Sequence, residues 1–274
     1  MSIKKKIGNY LLYLIRAKRI TANITYSEPS GRLKGKRIIV TGGGSGLGAT
    51  MAEKFVKEGA IVLIAGRRVD VLKATAEKVG CKYLQLDVND VAEFDEFIQN
   101  AKDMLGGIDI LVNNAGISMH EQTFSEITPD AFDKQFSTNL KGGYFLTQKV
   151  VSSWTSAKQS GNILFVSSET GDTVDYRPYG LTKAAINSLV QGLAFLLARD
   201  GIRVNAVAPG ITCSEMTGRS ENDNLFILNH STERVYLPEE VAETACFLIS
   251  DTAGCISGQI VTCNNANTIN ARWK

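Results

Sequence analysis

Eight residues between an apolar segment and an amphipathic segment place the tightest constraint on the fold. Thr41 to Gly48 reads TGGGSGLG; it follows the apolar run 37–40 and precedes a segment with helical spacing. Glycine loses much conformational entropy on folding, so this density indicates a backbone that turns tightly and approaches another group closely. Free amide groups at a helix N-terminus favour anions, which makes a nucleotide phosphate the leading candidate ligand. A glycine-rich turn alone is a weak signal, and a turn that binds nothing stays open at this point.

Downstream of residue 35, short apolar segments alternate with longer segments of helical spacing. The predicted strands are Arg37–Thr41, Ile61–Gly66, Tyr83–Asp87, Ile108–Asn113, Asn162–Ser167, Arg203–Ala208 and Gln259–Thr262. They are apolar on both faces, as expected for a parallel sheet that helices cover on each side. The sequence therefore predicts an α/β fold, a single Rossmann-type doubly wound parallel sheet with helices on both faces. This one domain spans residues 36–274, and its ligands are expected beyond the carboxyl ends of the strands.

The charge divides the chain into a basic N-terminal arm and an acidic body. Ten of the 30 Lys and Arg residues and one of the 28 acidic residues lie in the first 37 positions. Residues 1–35 are interpreted as a basic amphipathic arm followed by a linker from residue 21. The arm lacks the small-residue cleavage site of a secretion signal, which argues against export. Its apolar residues would share one side of a short helix that packs on protein or lies on an anionic membrane surface. These residues are Ile7, Tyr10, Leu11, Leu14 and Ile15.

Composition argues against several functional classes. The five cysteines are scattered and only two histidines are present, which argues against a disulfide framework and a metal site and for a reducing compartment. No apolar run approaches the roughly 20 residues that span a bilayer. The basic residues concentrate in the arm, so no nucleic-acid partner is expected. The predicted location is the cytoplasm, with possible peripheral contact to the membrane through the arm.

The end of the second predicted strand indicates the type of dinucleotide. Dinucleotide folds that bind NAD carry an acidic residue near this point, whereas an arginine accommodates the 2′-phosphate of NADP. This chain has Gly66, Arg67 and Arg68, and its first acidic residue there is Asp70. NADP(H) is therefore favoured, with NAD(H) possible. Arg67 is the leading phosphate partner because its planar guanidinium suits bidentate contact, although both arginines could simply be solvated.

A tyrosine and a lysine at helical spacing are the candidate chemical groups. Tyr179 and Lys183 are expected one turn apart on one face of a long helix that extends through Leu197. A nearby cation favours the tyrosinate, so we expect Lys183 to lower the pKa of Tyr179 from about 10. The phenol could then exchange a proton with a carbonyl or alcohol oxygen. Tyr176 has Gly180 where the lysine would be, which makes it a poor alternative.

Five motifs in fixed order resemble the short-chain dehydrogenase/reductase family. They are TGGGSGLG, Asn113–Gly116, Ser167–Ser168, the Tyr179/Lys183 pair and Pro209–Gly210. The resemblance extends over about residues 33–261. It implies an enzyme that interconverts a carbonyl and an alcohol by hydride transfer with NAD(P), and it implies a homodimer or homotetramer. The resemblance further implies that the enzyme's substrate is a small carbonyl or alcohol compound.

The resemblance also assigns roles to the matching positions. Asn139 would hold a water in a proton relay, Ser168 would hydrogen-bond the substrate oxygen, Tyr179 would act as the acid/base, and Lys183 would bind the nicotinamide ribose. The residues implied to bind the cofactor are Gly42, Ser45, Gly46, Leu47, Gly48, Arg67, Arg68, Asp87, Val88, Asn114, Ala115, Gly116, Tyr179, Lys183, Pro209, Gly210, Thr212 and Ser214.

Three features depart from the family pattern. Ser168 lies closer to Tyr179 than is common, which leaves Ser167 as a weaker alternative for its role. The family's late glycine pair is replaced near residues 263–266. The loop between Ser168 and Tyr179 carries three carboxylates; if they face the pocket, they would bind hydroxyls or amines and repel anionic acyl carriers. These carboxylates are Glu169, Asp172 and Asp175.

The acidic loop favours a polar substrate, namely a sugar, a polyol or another polar ketone, reduced with NADPH. Two alternatives remain: a 3-oxoacyl thioester reductase, and a non-catalytic NADP(H)-binding sensor or scaffold tethered through the arm. The three carboxylates could also be merely solvated. Residues 221–234 resemble the mobile substrate lid of the family, and His230 within them is interpreted as a surface residue.

Overall fold

Seven short strands form one parallel sheet at the centre of the protein, whose computed structural model describes residues 11, 14, 15, 17–22, 30–228 and 230–269. The strand order is β3-β2-β1-β4-β5-β6-β7. The strands are β1 Arg37–Thr41, β2 Ile61–Gly66, β3 Lys82–Gln85, β4 Ile110–Asn113, β5 Gly161–Val166, β6 Ile202–Pro209 and β7 Ile260–Cys263. The order reverses between β1 and β4, which opens a crevice at their carboxyl ends. The predicted doubly wound α/β fold is confirmed.

Helices cover both faces of the sheet and bury its apolar side chains. They are α1 Gly46–Lys57, α2 Val69–Val79, α3 Phe94–Leu105, α4 Pro129–Phe136, α5 Gly142–Ser156, α6 Pro178–Leu197 and α7 Pro238–Ile249. Side chains of α3, α5 and α6 form the core on one face, around Trp154 and Leu146. Side chains of α1, α2 and α7 form the core on the other, around Phe55 and Met51. The inner strands β1, β2, β4, β5 and β6 are thus mostly buried on both sides, which is why they are largely apolar.

By length and composition alone, one described helix, Pro178–Asp200, could cross a membrane. It contains α6, and its inner side chains, among them Ile186 and Val190, belong to the core beside the sheet. The packing therefore accounts for its apolar composition.

The N-terminal arm is described only in part. Of the predicted amphipathic residues, Ile7 and Tyr10 lie outside the described residues, as do linker residues 23–29. Leu11, Leu14 and Ile15 are 52%, 55% and 81% exposed.

Residues 30–35, which the sequence assigns to the linker, pack against the body. Leu33 is fully buried, and its amide donates to the Glu58 carbonyl at 3.1 Å.

The buried carboxylate of Glu58 helps to hold residues 30–35 against helices α1 and α7. The Glu58 side chain is fully buried and accepts from the Arg32 guanidinium at 2.6 Å and from Lys54 at 3.1 Å. The backbone amides of Ser30 and Arg32 also donate to it, each at 3.2 Å. Arg32 reaches Glu243 on α7 as well, at 2.9 Å. Burial alone would raise the pKa of Glu58, but these hydrogen bonds lower it to about 2.

We expect Glu58→Gln to lower the free energy of unfolding by roughly 3 kcal/mol at pH 7, because it leaves the partly buried cations of Arg32 and Lys54 with one partner fewer. The pKa of Glu58 is depressed on folding, so its contribution is complete above pH 4.5 and disappears as the pH falls toward 2. Denaturant unfolding at several pH values measures both effects. Glu53→Gln is the matched control, because its ion pair with Lys57 is largely exposed. Equal losses in the two variants would contradict this role for Glu58.

Candidate active site

The glycine-rich turn is shaped by the loop that follows β4. Gly42 has φ +65°, and a Cβ there would lie 2.9 Å from the Ala115 Cα. A Cβ on Gly48 would overlap the Gly42 carbonyl oxygen. The Asn114 side-chain amide fills the remaining space and donates to the carbonyl oxygens of Thr41 at 2.9 Å and Gly42 at 3.1 Å. Glycine is therefore required for packing within the protein, and the open side of the turn faces a cavity.

The cavity lies beyond the carboxyl ends of the strands and has a volume of about 1180 Å³. Every residue predicted to bind the cofactor lines it. The first amide groups of α1 open onto it, and Ser45 caps that helix without a side-chain hydrogen bond to its amides. Unpaired amides at a helix N-terminus suit a phosphate. The residues present thus fit a dinucleotide, which the β1–α1 turn and residues 209–214 would hold.

The end of β2 presents arginines and no carboxylate to the cavity. Gly66, Arg67 and Arg68 all line it. The Arg68 guanidinium lies 3.3 Å from the Ser45 hydroxyl and 3.3 Å from a carboxylate oxygen of Glu215. Glu215 belongs to the β6–α7 connection, residues 210–237, and also accepts from Ser45 at 3.3 Å. Sequence reasoning missed Glu215, although it directly follows Ser214. Its carboxylate lies beside Ser45 and Arg68, where an anionic group of a ligand would bind.

Three of the four predicted catalytic side chains, those of Ser168, Tyr179 and Lys183, converge where β5 meets α6. Tyr179 lies in the first turn of α6, and the Lys183 ammonium is 5.4 Å from the centre of its ring. Lys183 donates to the Val166 carbonyl at 2.8 Å. Ser168 and Tyr179 both line the cavity, and Ser168 is close enough to the phenol to influence its pKa. Ser167 instead donates to Asn187 at 2.5 Å and is buried, which binds it into the packing of α6.

The pKa values at this pair differ from the sequence-based expectation. Burial raises the pKa of Tyr179; the Ser168 side chain lowers it, and the charge of Glu169 raises it further, so the net pKa lies above 10. Burial lowers the pKa of Lys183 to about 8. The expectation that Lys183 draws the phenol pKa downward is therefore wrong for this structure. The loss of hydration outweighs the influence of a cation that is itself desolvated.

Asn139 lies behind the cavity wall and does not line it. It sits in a π turn, Ser137–Lys141, between α4 and α5, a distortion often found at functional sites. Its side chain accepts from the Ile117 amide at 2.8 Å and donates to the Ile117 carbonyl at 2.9 Å. It also donates to Thr182 on α6 at 3.2 Å. Asn139 thereby joins the loop after β4 to the helix that carries Tyr179 and Lys183.

The three loop carboxylates have separate environments. Asp175 is bound by Arg177, whose Nη2 donates to it at 2.6 Å, and Asp172 accepts from Asn187 at 2.8 Å. Neither lines the cavity, so the expected acidic pocket wall reduces to Glu169. Glu169 is buried next to Ser168, and one of its oxygens accepts from Asn264 at 2.9 Å.

The replaced glycine pair keeps a glycine-like backbone. Asn265 and Ala266 have φ values of +46° and +65°, a region that L-residues rarely adopt. Asn264 is buried; its amide binds Glu169 and its carbonyl accepts from the Tyr236 hydroxyl at 2.6 Å. The asparagine side chain thus connects the C-terminal segment to the carboxylate beside Ser168. His120, Arg177 and Arg219 also line the cavity, and no motif in the sequence marked them.

Comparisons with known proteins agree with this arrangement. A family model described as short chain dehydrogenase matches residues 36–225. A sorbitol dehydrogenase of Cereibacter sphaeroides is 38% identical over 189 residues, covering 67% of this chain and 73% of that protein. An L-rhamnose 1-dehydrogenase (NADP(+)) of Thermoplasma acidophilum is 31% identical over 249 residues, covering 86% of this chain and 98% of its own length. The crystal structure of a 3-ketoacyl-(acyl-carrier-protein) reductase from Brucella melitensis, complexed with NADH, has a TM-score of 0.80 at 30% identity, covering 86% of this chain and all of that one.

We expect Glu215→Gln to tighten NADPH binding by about two- to fivefold, because it removes a negative charge that competes for Arg68. The exposed position of the ion pair keeps the effect small. Fluorescence titration with NADPH measures it, and the gain should shrink at high salt. Glu221→Gln makes the same charge change in the β6–α7 connection at an exposed residue outside the cavity lining. An equal gain in this control would assign the effect to net charge alone.

Proposed function

The chain belongs to the short-chain dehydrogenase family, and we propose that it is an NADPH-dependent reductase of a polar carbonyl compound. The substrate class is a sugar, a polyol-derived ketone or another hydroxylated ketone. The observation that carries this proposal is the meeting of Ser168, Tyr179 and Lys183 with the glycine-rich turn in one cavity. A pure binding protein needs no such set of proton-transfer groups at the end of its cofactor cavity.

The side chains of the site divide the work of carbonyl reduction. NADPH, when bound, supplies the hydride. Tyr179 keeps its proton at neutral pH because burial raises its pKa, and it donates that proton to the carbonyl oxygen as the alcohol forms. Ser168 hydrogen-bonds the same oxygen and orients it. A positioned acid of this kind contributes about 10²- to 10⁴-fold in rate. A phenol that stays protonated suits reduction better than oxidation at neutral pH.

Arginines at the end of β2 support NADP(H) over NAD(H). The end of β2 carries Gly66, Arg67 and Arg68 where NAD sites typically carry a ribose-binding carboxylate nearby, and Asp70 is absent from the cavity lining. Arg67 is exposed beside the cavity and can contact a 2′-phosphate with its planar guanidinium.

The carboxylate of Glu169 supports a substrate that carries hydroxyl groups. It is buried directly after Ser168 and lines the cavity, so a substrate reaching Ser168 passes close to it. Hydroxyl donors would satisfy such a carboxylate, and an anionic substrate would be repelled. Two of the similar proteins, the sorbitol and L-rhamnose dehydrogenases, act on compounds of this kind by name.

A 3-oxoacyl thioester reductase is the second candidate. Arg177 and Arg219 line the cavity and could attract the phosphate of an acyl carrier. Arg177, however, is already paired with Asp175 at 2.6 Å. The ion pair reduces the positive charge that it offers, which keeps the polar-carbonyl proposal first.

The cellular setting forms part of the proposal. The five cysteines are free thiols, which supports a reducing compartment, the cytoplasm. Exposed apolar residues on the outer side of α6, Phe195 and Leu196, support a homodimer or homotetramer. Leu11, Leu14 and Ile15 are exposed in a basic arm, which supports peripheral contact with an anionic membrane surface.

The function is tested by following NADPH and NADH consumption with sugars, hydroxyketones and 3-oxoacyl thioesters as substrates. We expect turnover with a polar ketone or sugar and a preference for NADPH. Tyr179→Phe should reduce turnover at least 10²-fold while NADPH binding persists. Tyr176→Phe is the matched control, because its exposed hydroxyl donates to the Gln122 carbonyl outside the site. Unchanged turnover in Tyr179→Phe would refute the assignment; tight NADPH binding without turnover on any substrate would favour the sensor alternative.

Lys183 predicts a pH limit for the reaction. Its pKa of about 8 lies below the ordinary value because burial disfavours the ammonium, so the charge is present below pH 8 and lost above it. We expect kcat/KM for carbonyl reduction to fall as the pH rises through about 8, before Tyr179 deprotonates. In Lys183→Arg, whose guanidinium stays charged, any retained activity should lack this fall. The same fall in both proteins would assign the limit to another group.

A further inference from the structure

The N-terminal arm returns to the body at residues 17–22 and hydrogen-bonds the β6–α7 connection. The Asn224 side chain accepts from the Ile20 amide at 3.0 Å and donates to the Lys18 carbonyl at 3.2 Å. The Leu225 amide donates to the Ile20 carbonyl at 3.3 Å. One asparagine thus binds both an amide and a carbonyl of the arm backbone, in the manner of a neighbouring strand. We call residues 17–22 and these contacts the arm clasp.

The arm clasp also completes a small apolar cluster. Cys213, Leu225, Val235 and Leu237 form a buried cluster of their own, separate from the two cores beside the sheet. Ile20 and Ala22 of the arm pack against it. A cluster of so few side chains cannot bury much apolar area by itself, so each added residue matters to its stability. An ion pair between Lys18 and Glu233, at 2.6 Å, adds a contact at its edge.

The same connection forms one wall of the cofactor cavity. Cys213 of the cluster lies between Thr212 and Ser214, both of which line the cavity, as do Glu215 and Ile227. The Ser214 side chain lies across from the glycine-rich turn, 3.4 Å from the position of a Cβ on Gly46. When the arm holds Cys213 in place on the side away from the cavity, it also holds Thr212 and Ser214, which line the cavity that would contain the dinucleotide.

We infer that the arm clasp holds the β6–α7 connection closed over the cofactor cavity, so that Ile20 and Asn224 are positioning residues for cofactor binding. The arm precedes the region matched by the family, which begins at residue 36. This role is therefore an addition to the proposed reductase and does not depend on which substrate it reduces. Without the clasp, the connection opens more often and NADPH dissociates faster.

The test compares Asn224→Ala and Ile20→Ala in the full-length protein with two matched controls. Asn222→Ala removes the same amide from a residue whose side chain has no hydrogen bond among those described, and Thr21→Ala alters an exposed residue of the arm. Hydrogen exchange followed by mass spectrometry reports the opening of residues 210–237. We expect exchange there to accelerate about tenfold in the two clasp variants, with the peptides of β1, β4 and β5 unchanged.

NADPH titration is the second measurement and separates positioning from general stability. The Kd for NADPH should rise about three- to tenfold in both clasp variants and remain unchanged in the controls. Wild-type exchange in the clasp variants, acceleration throughout the protein, or an unchanged Kd despite faster exchange in residues 210–237 would each overturn the inference. Failure of the wild-type protein to bind NADPH would refute the proposed function, whereas exchange would still decide whether the clasp holds the connection.

Discussion

The backbone of the β1–α1 turn touches the loop after β4 at Gly42, and the site is built around this contact. The strand order reverses between β1 and β4, so the two loops diverge to opposite faces of the sheet. The two loops approach this closely only because the glycines of the turn carry no side chain. Gly42 and Gly48 leave the space, and Asn114 spans it with hydrogen bonds to Thr41 and Gly42. The Ser45 side chain does not bind the amides at the start of α1, which is why this place suits an anion.

Burial, more than proximity of charges, determines the chemistry at the other end of the cavity. Lys183 and Tyr179 are close, yet the pKa of each is dominated by loss of hydration. The pKa of Tyr179 rises and that of Lys183 falls. Both shifts favour the neutral form of the group, because desolvation penalises the form that carries charge. The result is a phenol that retains its proton and an ammonium that gives up its proton more readily than in water. Such a pair is suited to delivering a proton, and Glu169 strengthens this by making a negative phenolate still less favourable.

The sequence predicted local features well because they depend on neighbours along the chain. The strands lie within two residues of their predicted limits, since the apolar pattern of the inner strands reflects burial on both faces. The glycine-rich turn and the Tyr179/Lys183 spacing are local too. Partners far apart in sequence could not be predicted. The sequence offers Asp172 and Asp175 as pocket residues, but in the structure Asn187 binds Asp172 and Arg177 binds Asp175. The prediction of a lowered pKa for Tyr179 was wrong for the same reason, because the pKa is raised mainly by burial among several segments of the chain.

The β6–α7 connection shows what such distant partners accomplish together. The apolar cluster that it buries is small, and segments from both ends of the chain stabilise it: Ile20 of the arm from one side and Asn264, through Tyr236, from the other. Asn265 and Ala266 adopt a backbone conformation that favours glycine, which costs about 1 kcal/mol or more per residue. That cost is offset locally, since Ser231 donates to the Asn265 carbonyl at 2.7 Å and Asn264 binds Glu169. A connection held by separate weak contacts can open without unfolding the sheet. A cofactor enclosed by it can therefore exchange while the Gly42 contact stays intact.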